Sequence, residues 1–327
     1  MRSRMQAAFD TFRDLQHASS EAAAGQIAAD GIDILVDLKG YTGGSRLEIA
    51  ALRPAPVQVS WLGYPGTLGH RRLADYLIGD PIVTPLEHAS HYSESLALMP
   101  HCYQPNDRQR TVGERPTRAQ AGLADTGFVF CCFCLPNKIT PAMLDLWCRL
   151  LRNVPESQLW LLQSNSVTQH NLRREAAARG IAPERLVFAP PLPLAEHLGR
   201  LQLADLALDT FPYTSHTTAS DALWAGVPLI TLMGDTFVSR VAASILHAAG
   251  LPQLVTRSAD SYVRLVLELA MQPEQMKFFR NRLAANLMTC PLFDSERFAR
   301  DLERLYERMW TNHRAGRNDH IADGFSV

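Results

Sequence analysis

The feature that most restricts what this chain can fold into is a sustained alternation of short apolar runs with helix-length segments. The runs stand at Ile32–Leu38, Val57–Leu62, Tyr76–Gly79, Leu96–Pro100, Phe128–Cys134, Leu159–Gln163, Leu186–Ala189, Leu206–Asp209 and Leu229–Met233. Between many of them lie helical patterns such as Met143–Asn153, Thr168–Arg179, Leu194–Leu203, Thr217–Ala225 and Val238–Ala249. Runs that are apolar throughout, rather than at every second residue, suit strands buried on both faces. Helices between such strands make the sheet parallel. An α/β class follows. From Phe128 to Leu254 the series is an uninterrupted βαβαβα, one complete Rossmann-like unit.

The amino-terminal half is less regular. Only four strand candidates precede Gln104, fewer than the roughly five or six of an average sheet, and two helix-like stretches come before the first of them. The reading is a second Rossmann-like domain, incomplete at its N-terminus. Gln104–Thr126 is polar, proline-bearing and without periodicity, as an interdomain linker would be. The expected division is a partial domain over 1–104, a linker over 105–126 and a complete domain over 127–290. A terminal helix with a frayed polar tail follows over 291–327. At 327 residues the chain is long enough for two buried cores.

Bulk properties exclude several classes. Hydrophobic residues make up 46% and charged residues 20%, so the chain is not disordered, and a net charge of −1 offers no general pull toward nucleic acid or anionic membrane. No run approaches the roughly 20 apolar residues of a membrane span, and Met1–Gln6 lacks the apolar core of a secretion signal. Four of the six cysteines are Cys131, Cys132, Cys134 and Cys148. The first three lie on an expected strand, where side chains alternate between faces and cannot converge on a metal. Buried, reduced thiols in a cytoplasmic protein are expected.

In open α/β sheets ligands bind at the carboxyl ends of strands, so those loops carry the chemistry. Asp209–Asp221 holds a run of hydroxyls before a helix, with His216 beside the helix start. Capping alone accounts for Ser and Thr there, yet a helix N-terminus at a strand end is also an anion site. In Leu135–Pro141, Thr140 and Pro141 read as N-cap and first helical residue, which leaves Lys138 in the turn, either solvated or facing a diphosphate. Asp221 lies one helix upstream of Gly226-Val-Pro228, an arrangement that recurs in nucleotide-sugar transferases. Asp37–Gly44 is a glycine-bearing loop that permits close backbone approach but is not a dinucleotide fingerprint. No D-x-D, Walker, G-x-S-x-G or H-E-x-x-H pattern occurs, so no metal is expected at the diphosphate.

Taken with Asp30–Thr42, Leu52-Arg-Pro-Ala-Pro-Val-Gln58, Trp61-Leu-Gly-Tyr-Pro-Gly-Thr67, Asp205–Asp209, His216-Thr-Thr218, Leu223–Pro228 and Ser239-Arg-Val-Ala-Ala-Ser244, these loops resemble the catalytic region of the O-linked N-acetylglucosamine transferases, including their SPINDLY-like and bacterial members, glycosyltransferase family 41. The likeness covers nearly all of residues 20–313.

It implies a GT-B fold of two Rossmann-like domains, with the last helix, Asp294–His313, returning to the first. The implied reaction is inverting, metal-independent and free of cofactors: N-acetylglucosamine passes from UDP-GlcNAc to Ser or Thr of an acceptor protein. By position, Lys138 would lie on the diphosphate and His216, Thr217 and Thr218 would form the donor-phosphate loop. Asp221 would hold the ribose, and His197 and Arg200 would sit near the uridine. Thr42, Leu62, Gly63 and Pro65 would fall on the sugar side, with Asp37 near it as a catalytic, charge-fixing or loop-capping group.

Three departures stand out: no tetratricopeptide repeats precede the region, the family's sugar-facing histidine segment is absent, and Phe133–Lys138, with Asn137 its one amide side chain, is less polar than usual before the lysine, as is Leu194 on the uridine side. A non-catalytic UDP-sugar-binding remnant is therefore the alternative, and an epimerase on the same fold is a third reading that Trp61–Thr67 argues against. On the truncated reading, the chain is expected to bind UDP and to transfer sugar slowly or not at all.

Overall fold

The structure, a computed structural model, describes residues 2–322. Its contacts divide the chain into two units. Among the described residues, one contains 2–78, 87–98 and 304–322, and the other contains 79–86 and 99–303.

The first unit opens with α1 (Arg2–Ala8) and α2 (Ser20–Ala29), followed by β1 (Ile34–Asp37), α3 (Leu47–Ala51), β2 (Val57–Ser60), β3 (Tyr76–Gly79) and β4 (Ser95–Leu98). Ser19 caps α2, its hydroxyl accepting from the Ala22 N–H. The sheet order is β1-β2-β3-β4, with β1 parallel to β2 and β2 parallel to β3. β1 is the edge strand and its four residues are only half-buried, whereas β2, β3 and β4 are buried throughout. The register sets Asp37 opposite Ser60, so the loops after β1 and β2 leave the sheet at one level.

The second unit contains β5 (Val129–Cys132), α4 (Pro141–Asn153), β6 (Gln158–Leu162), α5 (Ser166–Ala178), β7 (Leu186–Ala189), α6 (Leu194–Leu201), β8 (Leu206–Leu208), α7 (Thr217–Trp224), β9 (Leu229–Leu232), α8 (Val241–Ala248), β10 (Val255–Thr256), α9 (Ala259–Met271), α10 (Pro273–Asn286) and the start of α11 (Ser295–Arg314). The strand order is β10-β9-β8-β5-β6-β7, with all neighbours parallel. This is the doubly wound arrangement, and the order reverses between β5 and β8. Trp147, Trp160, Phe130 and Tyr262 fill its core. β10 pairs over two residues, too short for any run to announce it.

Two expectations need correction. The segment 105–126 belongs to the second unit and is bonded to it: the Gly113 N–H donates to Ala195 O at 2.8 Å, and Trp224 Nε1 donates to Arg110 O at 3.1 Å. Most of its residues are exposed, in keeping with its polar composition, but hydrogen bonds to the helices hold it in place. The tail beyond His313 is also held rather than frayed. Leu98 N donates to Ile321 O and Ile321 N to Leu96 O, each at 2.8 Å, so the chain satisfies backbone groups along β4. Ile321 is buried there. Residues 323–327, the end of the expected tail, lie outside the described residues.

All six cysteines are free and buried, as their pattern implied. Among the described residues no helix is long and apolar enough to cross a membrane.

Candidate functional site

The site is built where the second unit's strand order reverses, from the loops that leave β5 and β8. Asp209, directly after β8, organises the second loop. It is fully buried and accepts from Thr210 N at 2.8 Å, Ser215 N at 2.6 Å and Thr231 Oγ1 at 2.5 Å. Burial, with Cys134 nearby, pushes its carboxyl up to about 7. These bonds fold Thr210–Ser215 back over the strand end, with a cis peptide at Phe211–Pro212. His216 arrives as the N-cap residue of α7.

Three groups meet at that helix start. Lys138, in the turn after β5, donates from Nζ to Thr214 O at 2.9 Å and stands 3.8 Å from the Tyr213 ring centroid. His216 makes no side-chain cap bond. Its Nε2 is buried without a hydrogen-bond partner among the described residues, and burial followed by the Lys138 charge lowers the ring to about 3, so it is neutral. A buried polar atom left unpaired costs about 1–3 kcal/mol, a cost that a ligand oxygen at Nε2 would remove. Thr217 is exposed on the first turn. Thr218 lies 3.4 Å from Cys134 Sγ, and Ser215 Oγ lies 2.9 Å from the same sulfur. Hydrogen bonding from Cys132 first, then from Ser215 and Thr218, pulls the Cys134 thiol below the ordinary cysteine range against the effect of burial.

A small cavity of about 10 Å³, room for about one water, lies between here and α6 and is lined by Cys132, Phe133, His197, Ser215 and Thr218 among others. His197 packs edge-on against Phe133 with ring centroids 5.1 Å apart. Its Nδ1 accepts from Arg200 Nε at 3.2 Å and lies 3.0 Å from Nη2. Arg200 also donates to Pro190 O and stacks over Phe133. Burial and Arg200 lower His197 to about 4, which keeps Nδ1 an acceptor. Asp221, on the second turn of α7, is held by Arg110 at 2.6 Å.

The structure therefore brings together Lys138, His216, Thr217 and Thr218 at one helix start, with His197 lining the adjoining cavity and Arg200 bonded to that histidine. Asp221 is paired with an arginine that sequence reasoning had assigned to a linker. Asp209 and Cys134 were also missed as organisers. Asp209 sits inside a quoted motif, but its role depends on which amides fold back to it.

The other expected residues belong to the first unit, on the loops after β1 and β2. Asp37 accepts from Lys39 N at 3.0 Å and Gly40 N at 2.8 Å, one bond to each oxygen. Lys39 Nζ donates to Gly43 O at 2.6 Å and Thr42 Oγ1 to Lys39 O at 2.8 Å. Leu62 takes φ +74°, a left-handed conformation unusual for leucine. A Cβ at Gly63 would lie 2.1 Å from Leu38 O, so the two loops touch backbone to backbone there. Pro65 completes the second loop. Below it, Glu94 is buried and accepts from Thr67 Oγ1 and Leu68 N at 2.6 Å each.

Comparison with known proteins agrees with this architecture. The model of glycosyl transferase family 41 matches residues 1–114 and 111–302. The SEC protein of Arabidopsis thaliana is 40% identical over 96% of this chain and 33% of its own length. The UDP-N-acetylglucosamine–peptide N-acetylglucosaminyltransferase of Caenorhabditis elegans is 31% identical over 92% of this chain and 36% of its own. The chain thus spans about a third of the length of these curated relatives. Among solved structures, a mutant of the Thermobaculum terrenum O-GlcNAc transferase superposes with a TM-score of 0.89 at 36% identity, over 96% of this chain and 60% of that one. Anabaena HepE, solved with UDP and glucose, shares the fold alone, with a TM-score of 0.61 at 13% identity over 90% of this chain and 84% of that one. The fold is GT-B.

Proposed function

The chain belongs to glycosyl transferase family 41, and from that premise we propose that it takes UDP-GlcNAc as donor and transfers N-acetylglucosamine to Ser or Thr hydroxyls of an acceptor protein. The reaction inverts the anomeric centre and uses neither metal nor cofactor. The observation that carries this reading is the helix start of α7, where Lys138 Nζ and the unpaired His216 Nε2 stand at the reversal of strand order. A diphosphate suits such a place, because fixed N–H groups, a cation and the helix dipole all favour negative charge.

The acceptor hydroxyl attacks the anomeric carbon as the carbon's bond to the UDP oxygen breaks, and the hydroxyl proton is released to solvent or to the departing UDP. Negative charge then grows on the leaving diphosphate. Lys138 and the first-turn amides of Thr217 and Thr218 stabilise it without reorganising, which is the usual source of large electrostatic catalysis. His197 and Arg200 hold the uracil end and Asp221 the ribose. Thr42, Leu62, Gly63 and Pro65 shape the sugar side, and Asp37 fixes the turn beside it while supplying a negative charge. The protein works in the cytoplasm, consistent with six free thiols. Acceptors are delivered by a repeat segment of the kind the longer relatives have room for.

Calorimetry with UDP, UDP-GlcNAc and GDP-sugars tests the donor site, followed by transfer from UDP-GlcNAc to Ser/Thr peptides. Binding of UDP and UDP-GlcNAc with slow turnover is expected. Preference for a GDP-sugar would overturn the donor assignment, and binding without any turnover would favour a nucleotide-sugar-binding role.

A further inference from the structure

We propose that Arg110 is a positioning residue for the nucleotide end of the donor site, acting through Asp221; this rests on the donor-site reading above. Arg110 lies on the segment between β4 and β5. Its side chain and that of Asp221 are each 9% exposed, with Nη1 and Oδ1 2.6 Å apart. The guanidinium carbon stands 5.3 Å from the Trp224 ring centroid and 5.6 Å from that of Phe293, and the two rings meet edge to face at 4.9 Å. Nε donates to Asp107 O at 3.0 Å, and the Arg110 carbonyl accepts from Trp224 Nε1 at 3.1 Å. Backbone and side chain of this residue are both tied to α7.

A few residues on, the same segment is fixed to α6. Gly113 N donates to Ala195 O at 2.8 Å, and a Cβ at Gly199 would fall 2.5 Å from Glu114 O. Residues 107–114 therefore form a strap across the two helices that carry the expected uridine, ribose and phosphate contacts. His197 and Arg200 sit on one helix, and Thr217, Thr218 and Asp221 on the other. The strap sets the spacing of these groups. Arg110 occupies Oδ1 of Asp221 and so turns Oδ2 toward a ribose hydroxyl.

The electrostatics add a readout. Burial raises the Asp221 carboxyl, and the charge and hydrogen bond of Arg110 oppose that rise. Asp107, on the strap itself, is the other charge acting on Arg110. Without the guanidinium, Asp221 would take up its proton at a higher pH and lose its capacity as an acceptor.

The test is UDP titration calorimetry on the full chain between about pH 5.5 and 8.5, with Arg110→Met, Arg110→Lys, Asp221→Asn and Lys138→Ala. Arg110→Met is expected to weaken UDP about tenfold near neutrality, since it leaves a buried charge without its partner, and the gap should widen as pH falls. Arg110→Lys should lose only about threefold and keep the parent pH profile, because the charge survives but the fork geometry does not. In Asp221→Asn the added Arg110→Met change should cost little more, the signature of coupling within one pair. A merely structural arginine would lower the melting temperature and leave the pH profile unmoved, which would overturn the proposal. UDP affinity unchanged in Arg110→Met while Lys138→Ala is weakened would sink this inference and spare the donor site; no UDP binding by the parent chain would sink both. Should Arg110→Met not fold, Arg110→Lys decides, and parental affinity in that variant counts against the proposal.

Discussion

The loops at the strand ends of the two units are built on opposite principles. After β1 and β2, polar groups satisfy one another locally. Both oxygens of Asp37 are taken by backbone amides, Lys39 Nζ rests on Gly43 O, Thr42 on Lys39 O and Tyr41 on Leu68 O. What remains specific is shape, set by backbone contact at Gly63 and the left-handed Leu62. After β5 and β8, buried titratable groups crowd together: Asp209 rises to about 7, His216 falls to about 3 and one of its ring nitrogens is left unpaired. The contrast indicates that one unit offers a contour and the other a prearranged electric field, so each should break under a different kind of substitution.

Asp209→Ala should have the largest effect. It orphans two buried amides and the Thr231 hydroxyl. At about 1–3 kcal/mol for each unsatisfied group, several kcal/mol of stability should be lost. Chemical denaturation measures this, and nucleotide binding should vanish with the loop. Asp209→Asn sharpens the point through pH. The folded pKa of Asp209 lies above its unfolded value, so its contribution to stability is full below the ordinary aspartate range. That contribution is lost as pH rises through about 7. Relative to the Asn variant, the parent should become less stable from acidic toward neutral pH. Parallel stability curves for the two would show that Asp209 does not titrate as described.

In the other unit, Gly63→Ala places a Cβ 2.1 Å from Leu38 O. Overpacking of this sort costs typically about 1–3 kcal/mol. The variant should lose sugar transfer while keeping UDP affinity, since the field-forming loops are untouched. Loss of UDP binding in Gly63→Ala would break the division of labour.

Lys138→Ala tests the field directly. A charge-assisted contact to a phosphate is worth about 1.5–3 kcal/mol, so UDP affinity should fall roughly tenfold or more with little change in melting temperature. Equal affinity in parent and variant would remove Lys138 from the site. Asp37→Asn should have the smallest effect on stability, because the amide oxygen still accepts one of the two turn amides. Its turnover is the informative reading. A loss of about 10²–10⁴-fold would mark Asp37 as a proton-transferring group, whereas a loss of a few fold would leave it a cap of the turn.

Much of the fold was legible because strand burial leaves a linear trace. Tyr76–Gly79 and Leu186–Ala189 were delimited to the residue, Leu159–Gln163 was displaced by one residue, and the remaining runs extended one to three residues beyond the paired strands, since composition does not mark where pairing stops. Thr140 and Pro141 announced the start of α4, since capping is a property of adjacent residues. β10 left no trace, because two residues make no period.

The site was legible where it coincides with a helix start and lost where it depends on distant pairing. The sequence alone determined that Lys138, His216, Thr217 and Thr218 lie at strand-to-helix turns, because local hydrogen bonding and hydrophobic periodicity decide where such turns fall. Only the tertiary structure decided that Arg110 closes on Asp221 across 111 residues and that Gly113 lies on α6. The same holds for Ile321, which pairs beside β4 far back along the chain. A polar segment that hydrogen-bonds to solvent and one that hydrogen-bonds to a helix have the same composition, and what separates them is which donors and acceptors the folded chain brings within reach.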